Sequence, residues 1–480
     1  MHPSKQLALD AIEEKKSEIT QLADQIWDYA ELSLQEFQSA KLYCDTLRRE
    51  GFHVEKGICN IETAFSASYG SGRPYIGILA EYDALSGLSQ KGGQLTEQPR
   101  VPGGAGHGCG HNLLGAGAFA AALGVKAYLE KTGRPGTVIL YGCPGEEGGA
   151  AKAFMARDGL WTQLDAALTW HPEDCNEIVT GGSNACIQVQ YTFHGIASHA
   201  ANTPHLGRSA LDAVELMNIG VQFLREHMTD DARIHYAILD AGGRSPNVVQ
   251  SQATVLYMVR SKHVAQAVEL QKRVDKIADG AALMTETSYT RKFIDGTADT
   301  VSNHTLEAVM YKNFAALGVP SYTPEELAFA KELSLTYGSN QAIPGTGSRM
   351  SAAYAHDVKA MQAKSGHAMN DFLLPHFEGD AFRAGSTDVG DVSWLCPTVQ
   401  CSVASIPNGC PGHSWQLVSC GTTELGHKAA LQAGRVIACT AVDLFEQPQL
   451  LQQAKQEFDQ ATEGGYICPI PADAVPVVAD

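Results

Sequence analysis

Basic residues are scarce in this chain. Lys and Arg number 35 against 53 Asp and Glu, which gives a formal net charge of −18. A surface of that sign repels nucleic-acid phosphates and anionic membranes, so we expect neither as a partner. Heptad, collagen-like and Pro-rich biases are also lacking, and 44% hydrophobic residues over 480 positions suit a globular protein of roughly two to four domains.

The chain has no apolar run long enough to span a membrane. The most apolar stretch, 113–129, is rich in Gly and Ala and is interrupted by Lys126, whereas a spanning helix needs about 20 apolar residues. We predict a buried helix there. The first 25 residues contain several charged side chains and no apolar run, and the twelve cysteines form no CxxC pair. These features predict no signal peptide, reduced thiols and a cytoplasmic location.

Short apolar runs separated by helical stretches predict an α/β sheet domain after a helical segment at 7–50. The predicted strands are 74–85, 137–143 and 166–171. They end in Glu81 and Asp83, in Glu146 and Glu147, and in His171. Because ligands of open α/β sheets bind beyond the carboxyl ends of the strands, we expect these side chains to share one crevice.

A second pattern predicts an inserted domain at 185–297. Strands and helices follow one another there in the order β-α-β-β-α-β, which is the ferredoxin-like arrangement. A strand at 399–404 and a helix at 421–444 then return the chain to the first domain, which is predicted to comprise 1–184 and 298–480. The segment 338–384 has weak periodicity and no assignment.

The densest motif, 106–112, reads Gly-His-Gly-Cys-Gly-His-Asn and precedes the predicted buried helix. In an extended backbone every second side chain shares a face, so His107, Cys109 and His111 can point together. Thiolate and imidazole suit zinc and related metals. A purely structural glycine-rich turn with a buried thiol is the alternative for this motif alone.

Three further positions fit a metal site. The pair Glu146-Glu147 could divide two tasks, one carboxylate binding metal and the other taking a proton from water, although a solvated acidic turn is the alternative. His171 precedes Pro172 and is thereby held extended. His413 follows a predicted strand and a Gly/Pro turn. Either histidine alone could be structural.

Five motifs in this order resemble the amidohydrolase branch of the M20 metallopeptidases, which are zinc or manganese enzymes. The motifs lie at 106–115, 141–149, 167–173, 199–214 and 386–394. The resemblance implies an α/β, metal-dependent exopeptidase-like catalytic domain with a mixed, mostly parallel sheet. It also implies that the inserted ferredoxin-like domain is a lid and dimerisation domain.

The resemblance also assigns roles residue by residue. It implies two divalent ions, Mn²⁺ or Zn²⁺, with ligands at Cys109, His111, Glu147, His171 and His413. Glu146 resembles the general base and Asp83 the residue that orients a ligand histidine. Glu81 stands where other members of the superfamily have a ligand, but we do not predict it as one. Asn112 replaces the usual Asp, which leaves a carboxylate role there open.

In the inserted domain, three residues resemble lid residues that, in this family, approach the active site of the partner subunit. Among them, His199 resembles an oxyanion stabiliser. Asn247 and Arg260 resemble binders of the substrate carboxylate. These roles imply a dimer, either of identical chains or with a related A subunit.

Within the branch, the motifs are most similar to those of hydrolases that cleave p-aminobenzoyl-glutamate to p-aminobenzoate and glutamate in folate breakdown. The resemblance therefore implies a metal-dependent amidohydrolase for this small molecule. Three alternatives remain open: an aminoacylase or dipeptidase acting on other N-acyl amino acids, a non-catalytic metal-binding subunit, and a hydrolase with Cys109 as nucleophile and His111 as base.

Overall fold

The computed structural model describes residues 3–338, 343–345, 350–377 and 381–478. The described helices are α1 (Pro3–Glu14), α2 (Lys16–Tyr29), α3 (Phe37–Arg49), α4 (His111–Thr132), α5 (Ala151–Arg157), α6 (Ala210–Leu224), α7 (Val264–Thr285), α8 (His304–Leu317), α9 (Pro324–Ser334), α10 (Ala352–Ser365), α11 (Val389–Ser393), α12 (Trp415–Cys420), α13 (Glu424–Glu446) and α14 (Pro448–Ala461). The described strands are β1 (His53–Lys56), β2 (Phe65–Ser71), β3 (Tyr75–Ala80), β4 (Gly136–Gly142), β5 (Ala166–Glu173), β6 (Glu177–Ile178), β7 (Gly182–Ser183), β8 (Ala185–His194), β9 (Arg233–Asp240), β10 (Gln252–Ser261), β11 (Ser288–Thr297), β12 (Phe382–Arg383) and β13 (Thr398–Ala404).

A seven-stranded mixed sheet in the order β1-β2-β4-β3-β5-β13-β6 lies in the part of the chain outside 185–297. Its four middle strands, β4, β3, β5 and β13, run parallel. Strands β1, β2 and β6 add antiparallel pairs at the two edges. The middle strands are almost wholly buried, which is why their sequences are continuous apolar runs. The predicted α/β class with a mixed, mostly parallel sheet is confirmed.

Helix α4 packs on this sheet and against helices α1, α2 and α13, of which α13 also contacts β5 and β13 of the sheet. It is long and apolar enough to cross a membrane by length and composition, but 89% of its most apolar window is buried inside the protein. Its closest helical neighbour is α13, and a Cβ added to Gly434 would lie 2.6 Å from the Cβ of Ala120. Glycine at that position lets the two helices touch. The stretch 113–129 is thus a core helix, as predicted.

Residues 185–297 form a four-stranded antiparallel sheet in the order β11-β8-β10-β9, with α6 and α7 packed against it. The chain order β8-α6-β9-β10-α7-β11 is the predicted β-α-β-β-α-β arrangement. The buried side chains of this segment make a hydrophobic core of their own. We call it the lid; its standing as a separate domain, and that of 1–184 with 298–480, stays a prediction.

The segment 338–384, which the sequence leaves unassigned, contains helix α10 and the short strand β12. Strand β12 pairs in parallel with β7, in a small two-stranded sheet. Residues 339–342, 346–349 and 378–380 of this segment lie outside the described residues.

Candidate metal centre

The predicted strand ends meet at one cavity of about 580 Å³. Glu81 and Asp83 follow β3, the pair Glu146-Glu147 follows β4, and His171 lies in β5. Glu81, both members of the pair and His171 line the cavity, and Asp83 is buried behind them. The convergence follows from the parallel order of these strands, since their carboxyl ends share one edge of the sheet.

Two groups of three side chains could each hold a metal ion, and they share Cys109. The first is Cys109, His111 and His171; the second is Cys109, Glu147 and His413, and in each the ligand atoms lie within 4.8 Å of one another. The Cys109 Sγ lies 3.4 Å from the His171 Nε2. The His413 Nε2 lies 3.2 Å from the Glu147 Oε1. The geometry thus brings together all five side chains predicted as ligands.

The backbone around Cys109 explains how the candidate ligands Cys109, His111 and His413 come together. Gly110 has φ +78° and directly precedes α4, so that His111 is the first residue of the helix. A Cβ added to Gly110 would lie 2.8 Å from the Cγ of Pro172, so a larger residue fits neither the conformation nor the space. The His413 amide donates to the Gly108 carbonyl, and His413 itself has φ +53°. Such an unfavourable conformation in a non-glycine residue is typical of functional sites.

Asp83 contacts His111. Its Oδ1 lies 2.8 Å from the His111 Nδ1, and its Oδ2 accepts hydrogen bonds from the Ser33 hydroxyl and the Glu147 amide. Burial alone would raise the pKa of Asp83, but the charge of His111 lowers this pKa below its usual range. The carboxylate therefore stays ionised at the Nδ1 side of the ring, and the His111 Nε2 faces the cluster; carboxylates commonly hold metal-binding histidines in this way.

The donor set suits a metal. The His111 Nε2 and the Glu147 Oε1 are buried without a well-formed hydrogen bond to the described residues, although the Glu81 Oε2 lies 3.3 Å from the first and the His413 Nε2 lies 3.2 Å from the second. Coordination of a metal would relieve this costly state. Burial alone would raise the pKa of Cys109, but the charges of His111 and His171 lower this pKa to about 7. Deprotonated thiolate, neutral imidazole and carboxylate are the donors that zinc and manganese sites use.

Glu146 lies beside the cluster. Its Oε2 is 4.0 Å from the His111 Nε2, and Glu81, Glu146 and His111 form a third group that could hold a metal. Burial, together with the charges of Glu81, Glu147 and Asp388, raises the pKa of Glu146 well above its usual value. A carboxylate with a raised pKa is able both to take and to return a proton.

Three residues of this site, Lys152, Asp388 and Glu36, are not predicted from the sequence. Lys152 is fully buried, with its Nζ 2.8 Å from Glu81 and 2.5 Å from Asp388. Glu36 accepts hydrogen bonds from the Leu34 and Gly145 amides, the latter in the loop that carries Glu146. Two of them have a feature in the sequence that could have pointed to them: Lys152 is a charge inside an apolar helix, and Asp388 lies in the motif 386–394. The sequence around Glu36 has no such feature.

The lid residues divide into two groups. Arg260 lines the cavity and donates to the Ser386 hydroxyl at 2.8 Å. His199 and Asn247 are exposed and do not line the described wall of this cavity. The His199 Nδ1 instead accepts hydrogen bonds from the Ala201 and Asn202 amides. Within one chain, the structure therefore does not bring His199 and Asn247 to the cluster.

Asn112 ties helices together. Its side-chain amide donates to the carbonyls of Ala23 in α2 and Gly421 after α12. These bonds account for a buried Asn where a carboxylate was in question.

Comparison with known proteins agrees with this geometry. Residues 77–369 match the family model for peptidase family M20/M25/M40. The chain is 47% identical over 97% of its length to the B subunit of p-aminobenzoyl-glutamate hydrolase from Escherichia coli K12, with 97% of that protein covered. It is also 25% identical over 94% of its length to human Xaa-Arg dipeptidase, with 90% of that protein covered.

Solved structures share the fold. An aminobenzoyl-glutamate utilization protein from Klebsiella pneumoniae aligns with a TM-score of 0.59 at 16% identity, covering 90% of this chain and 97% of its own. A dinuclear metal-binding peptidase of family M20 from Bacillus subtilis aligns with a TM-score of 0.55 at 16% identity, covering 90% and 99%. The motifs, the shared fold and the close relative lead to one conclusion: the chain belongs to peptidase family M20 and is a hydrolase of that family.

Proposed function

We propose that this enzyme hydrolyses the amide bond of p-aminobenzoyl-glutamate to give p-aminobenzoate and glutamate. The observation that carries the proposal is the pair of ligand groups that share Cys109, with the Glu146 carboxylate 4.0 Å from a histidine of the first group. The identity of 47% to a protein named for this substrate supports the choice of amide.

In the proposed centre, Cys109, His111, Glu147, His171 and His413 hold two divalent ions, and Asp83 orients His111. When bound, such ions lower the pKa of water and polarise the scissile carbonyl. Glu146 accepts the proton of the attacking water and delivers it to the leaving nitrogen. The burial of Glu146, which raises its pKa, suits it to this second step.

The remaining features belong to the same proposal. Cysteine and histidine donors favour zinc, while the carboxylate leaves room for manganese. His199 and Asn247, exposed on the lid, serve the site of a partner subunit in a homodimer or in a dimer with a related A subunit. The twelve cysteines are all free thiols, which supports a location in the cytoplasm.

The direct test is release of p-aminobenzoate from p-aminobenzoyl-glutamate by protein loaded with Mn²⁺ or Zn²⁺. We expect turnover that EDTA abolishes and that Glu146→Ala lowers by about 100-fold or more, because general acid–base catalysis contributes that much. Metal content measured on Glu146→Ala is expected to match wild type, since this residue is a base and not a ligand in the proposal.

Two outcomes would contradict the proposal. Activity that survives EDTA would favour Cys109 as a nucleophile. No release by protein that holds two ions would exclude this substrate for the chain alone, and a panel of other N-acyl amino acids would then identify the amide.

A further inference from the structure

Acidic side chains outnumber guanidinium groups on the described wall of the cavity. The lining residues include six acidic side chains, one of which, Glu147, is a predicted metal ligand: Glu81, Glu146, Glu147, Glu173, Asp295 and Asp388. The proposed substrate adds two carboxylates of its own, on the glutamate half. Each of these needs a compensating cation if it is to be buried. On the described wall, the two guanidinium groups that could serve are Arg260 and Arg383.

Arg383 sits on a firmly held segment. It belongs to β12, which pairs with β7. The Gly182 amide donates to the Ala381 carbonyl at 2.9 Å, and the Asn184 amide to the Gly385 carbonyl at 3.0 Å. These bonds fix the backbone on both sides of Arg383, so the guanidinium is presented from a defined position.

The Arg383 guanidinium has donors to spare. One Nη pairs with the Glu177 carboxylate, while the Nε is buried with no hydrogen-bond partner among the described residues. Arginine has five N–H donors, arranged as a planar fork that matches a carboxylate. The side chain is still 27% exposed, so a molecule in the cavity can reach it.

The same segment also braces Arg260. The Arg260 Nη1 donates to the hydroxyl of Ser386, three residues after Arg383. Both arginines line the cavity, and both are held by the segment 383–386: Arg383 belongs to it, and Arg260 contacts its last residue. Two carboxylates on one amino acid therefore have one guanidinium group each on this wall.

We propose that Arg383 binds the side-chain carboxylate of an acidic amino-acid leaving group, while Arg260 binds the α-carboxylate. The pair makes the enzyme selective for N-acyl dicarboxylic amino acids over their neutral counterparts. This inference rests on the proposed function and adds a selectivity residue to it, in a segment whose sequence has no readable pattern.

The test compares two substrates, p-aminobenzoyl-glutamate and p-aminobenzoyl-glutamine, in wild type and Arg383→Gln. The variant is expected to lower kcat/KM for the glutamate substrate by about 10- to 100-fold, as loss of a charge-assisted pair does. For the glutamine substrate it should change kcat/KM by less than about 3-fold, because that substrate has no side-chain charge to lose.

A matched control is Arg157→Gln. Arg157 is 21% exposed and pairs with Asp158, but it is not among the described residues that line the cavity. It should leave the ratio of the two kcat/KM values at the wild-type level.

An equal loss on both substrates in Arg383→Gln would overturn the inference and reduce Arg383 to a packing role. If that variant fails to fold or loses metal, Arg383→Lys decides. Lysine keeps the charge without the fork, so we expect a partial loss confined to the glutamate substrate, and an equal loss on both again overturns the inference. Failure of wild type to cleave either substrate would refute the proposed function itself, which separates the two outcomes.

Discussion

At the scale of single residues, Cys109 is the side chain on which the site depends. It is the member common to both ligand groups. Cys59, by contrast, has the same half-buried exposure but no cationic cluster, and burial raises its pKa to about 11. The difference is electrostatic: neighbouring histidines stabilise the thiolate of Cys109, whereas nothing comparable opposes the desolvation of Cys59.

Alkylation should therefore select Cys109. In metal-free protein at pH 7.5, we expect iodoacetamide to modify Cys109 at least about 10-fold faster than Cys59, because the thiolate is the reactive form. Peptide mass spectrometry over time gives both rates from one sample.

Added Zn²⁺ or Mn²⁺ should protect Cys109 and leave the rate at Cys59 unchanged. Equal rates at the two cysteines, or no protection by either metal, would contradict the assignment of Cys109 as the shared ligand.

Sequence reasoning reaches only part of the site. The residues predicted as ligands meet because each belongs to a local motif at a strand end, and parallel strands bring such ends together. Lys152 and Arg383 meet the site through partners distant along the chain: Lys152 pairs with Asp388, and Arg383 with Glu177. Such pairings depend on the tertiary fold. A charge inside an apolar helix marks Lys152 as unusual, but a single sequence does not show which carboxylates it meets.

At the scale of elements, the predictions succeed where the apolar pattern is long and regular. The predicted buried helix 113–129 lies within α4, and β3, β4 and β5 overlap the predicted apolar runs. Strands β1 and β2 are missing from the prediction because β1 is largely exposed and β2 ends in a Ser/Gly-rich stretch. Helix α10 is missing because only Val358 of its residues is buried. Without a buried face, a helix leaves no periodic pattern to read.

Lys152 joins two elements through charge. It lies in α5, and both its Nζ and its backbone amide contact Asp388, which immediately precedes α11. Lys152→Met would leave Glu81 and Asp388 buried without their cation, and we expect a loss of about 3–5 kcal/mol in the free energy of unfolding. Urea denaturation would measure it.

The double variant Lys152→Met with Asp388→Asn should lose less than the sum of the two single variants, since they share one interaction. Lys455→Met is the control. Lys455 pairs with Asp459 on exposed α14, and its loss should cost about 0.5 kcal/mol or less. Additive losses in the double variant would show that the buried pair contributes nothing as a pair.

Asp391 makes stability depend on pH. It accepts hydrogen bonds from the Ala298 amide after β11 and from the Tyr466 hydroxyl, and burial raises its pKa to about 7. An unfolded aspartate titrates near 3.9, so between about pH 4 and pH 7 the folded chain binds the extra proton. The free energy of unfolding must then fall as the pH rises through that window.

The comparison is with Asp391→Asn, which cannot titrate. From pH 4 to pH 7, wild type should lose a few kcal/mol of stability relative to this variant. Urea denaturation at several pH values measures the difference, and Asp357→Asn, on the exposed part of α10, should run parallel to wild type. A difference that stays constant with pH would exclude the raised pKa.

At the scale of the whole molecule, the lid has exposed apolar side chains along one edge of its sheet. Strand β9 is the edge of the lid sheet, and Tyr236, Ile238 and Leu239 on it are 40–46% exposed. An unpaired edge with apolar side chains is a template for pairing with another chain. His199, also on the lid, is exposed and apart from its own chain's cluster. Both observations support the proposed dimer, in which the lid of one protomer completes the site of the other.

Ile238→Lys should therefore give a monomer in analytical ultracentrifugation, because it places a charge on the pairing edge, and this monomer should be nearly inactive although it still binds metal.

Complementation tests the exchange of residues directly. Glu146→Ala and His199→Ala are each expected to be inactive alone, but chains co-expressed with different tags should form mixed dimers in which one site has both residues. Random pairing makes half of the dimers mixed, with one complete site of two, so roughly a quarter of the wild-type activity should return. No recovery in purified mixed dimers would mean that His199 does not act across the interface. A wild-type chain that is monomeric by itself would point instead to a related A subunit as the partner that covers β9.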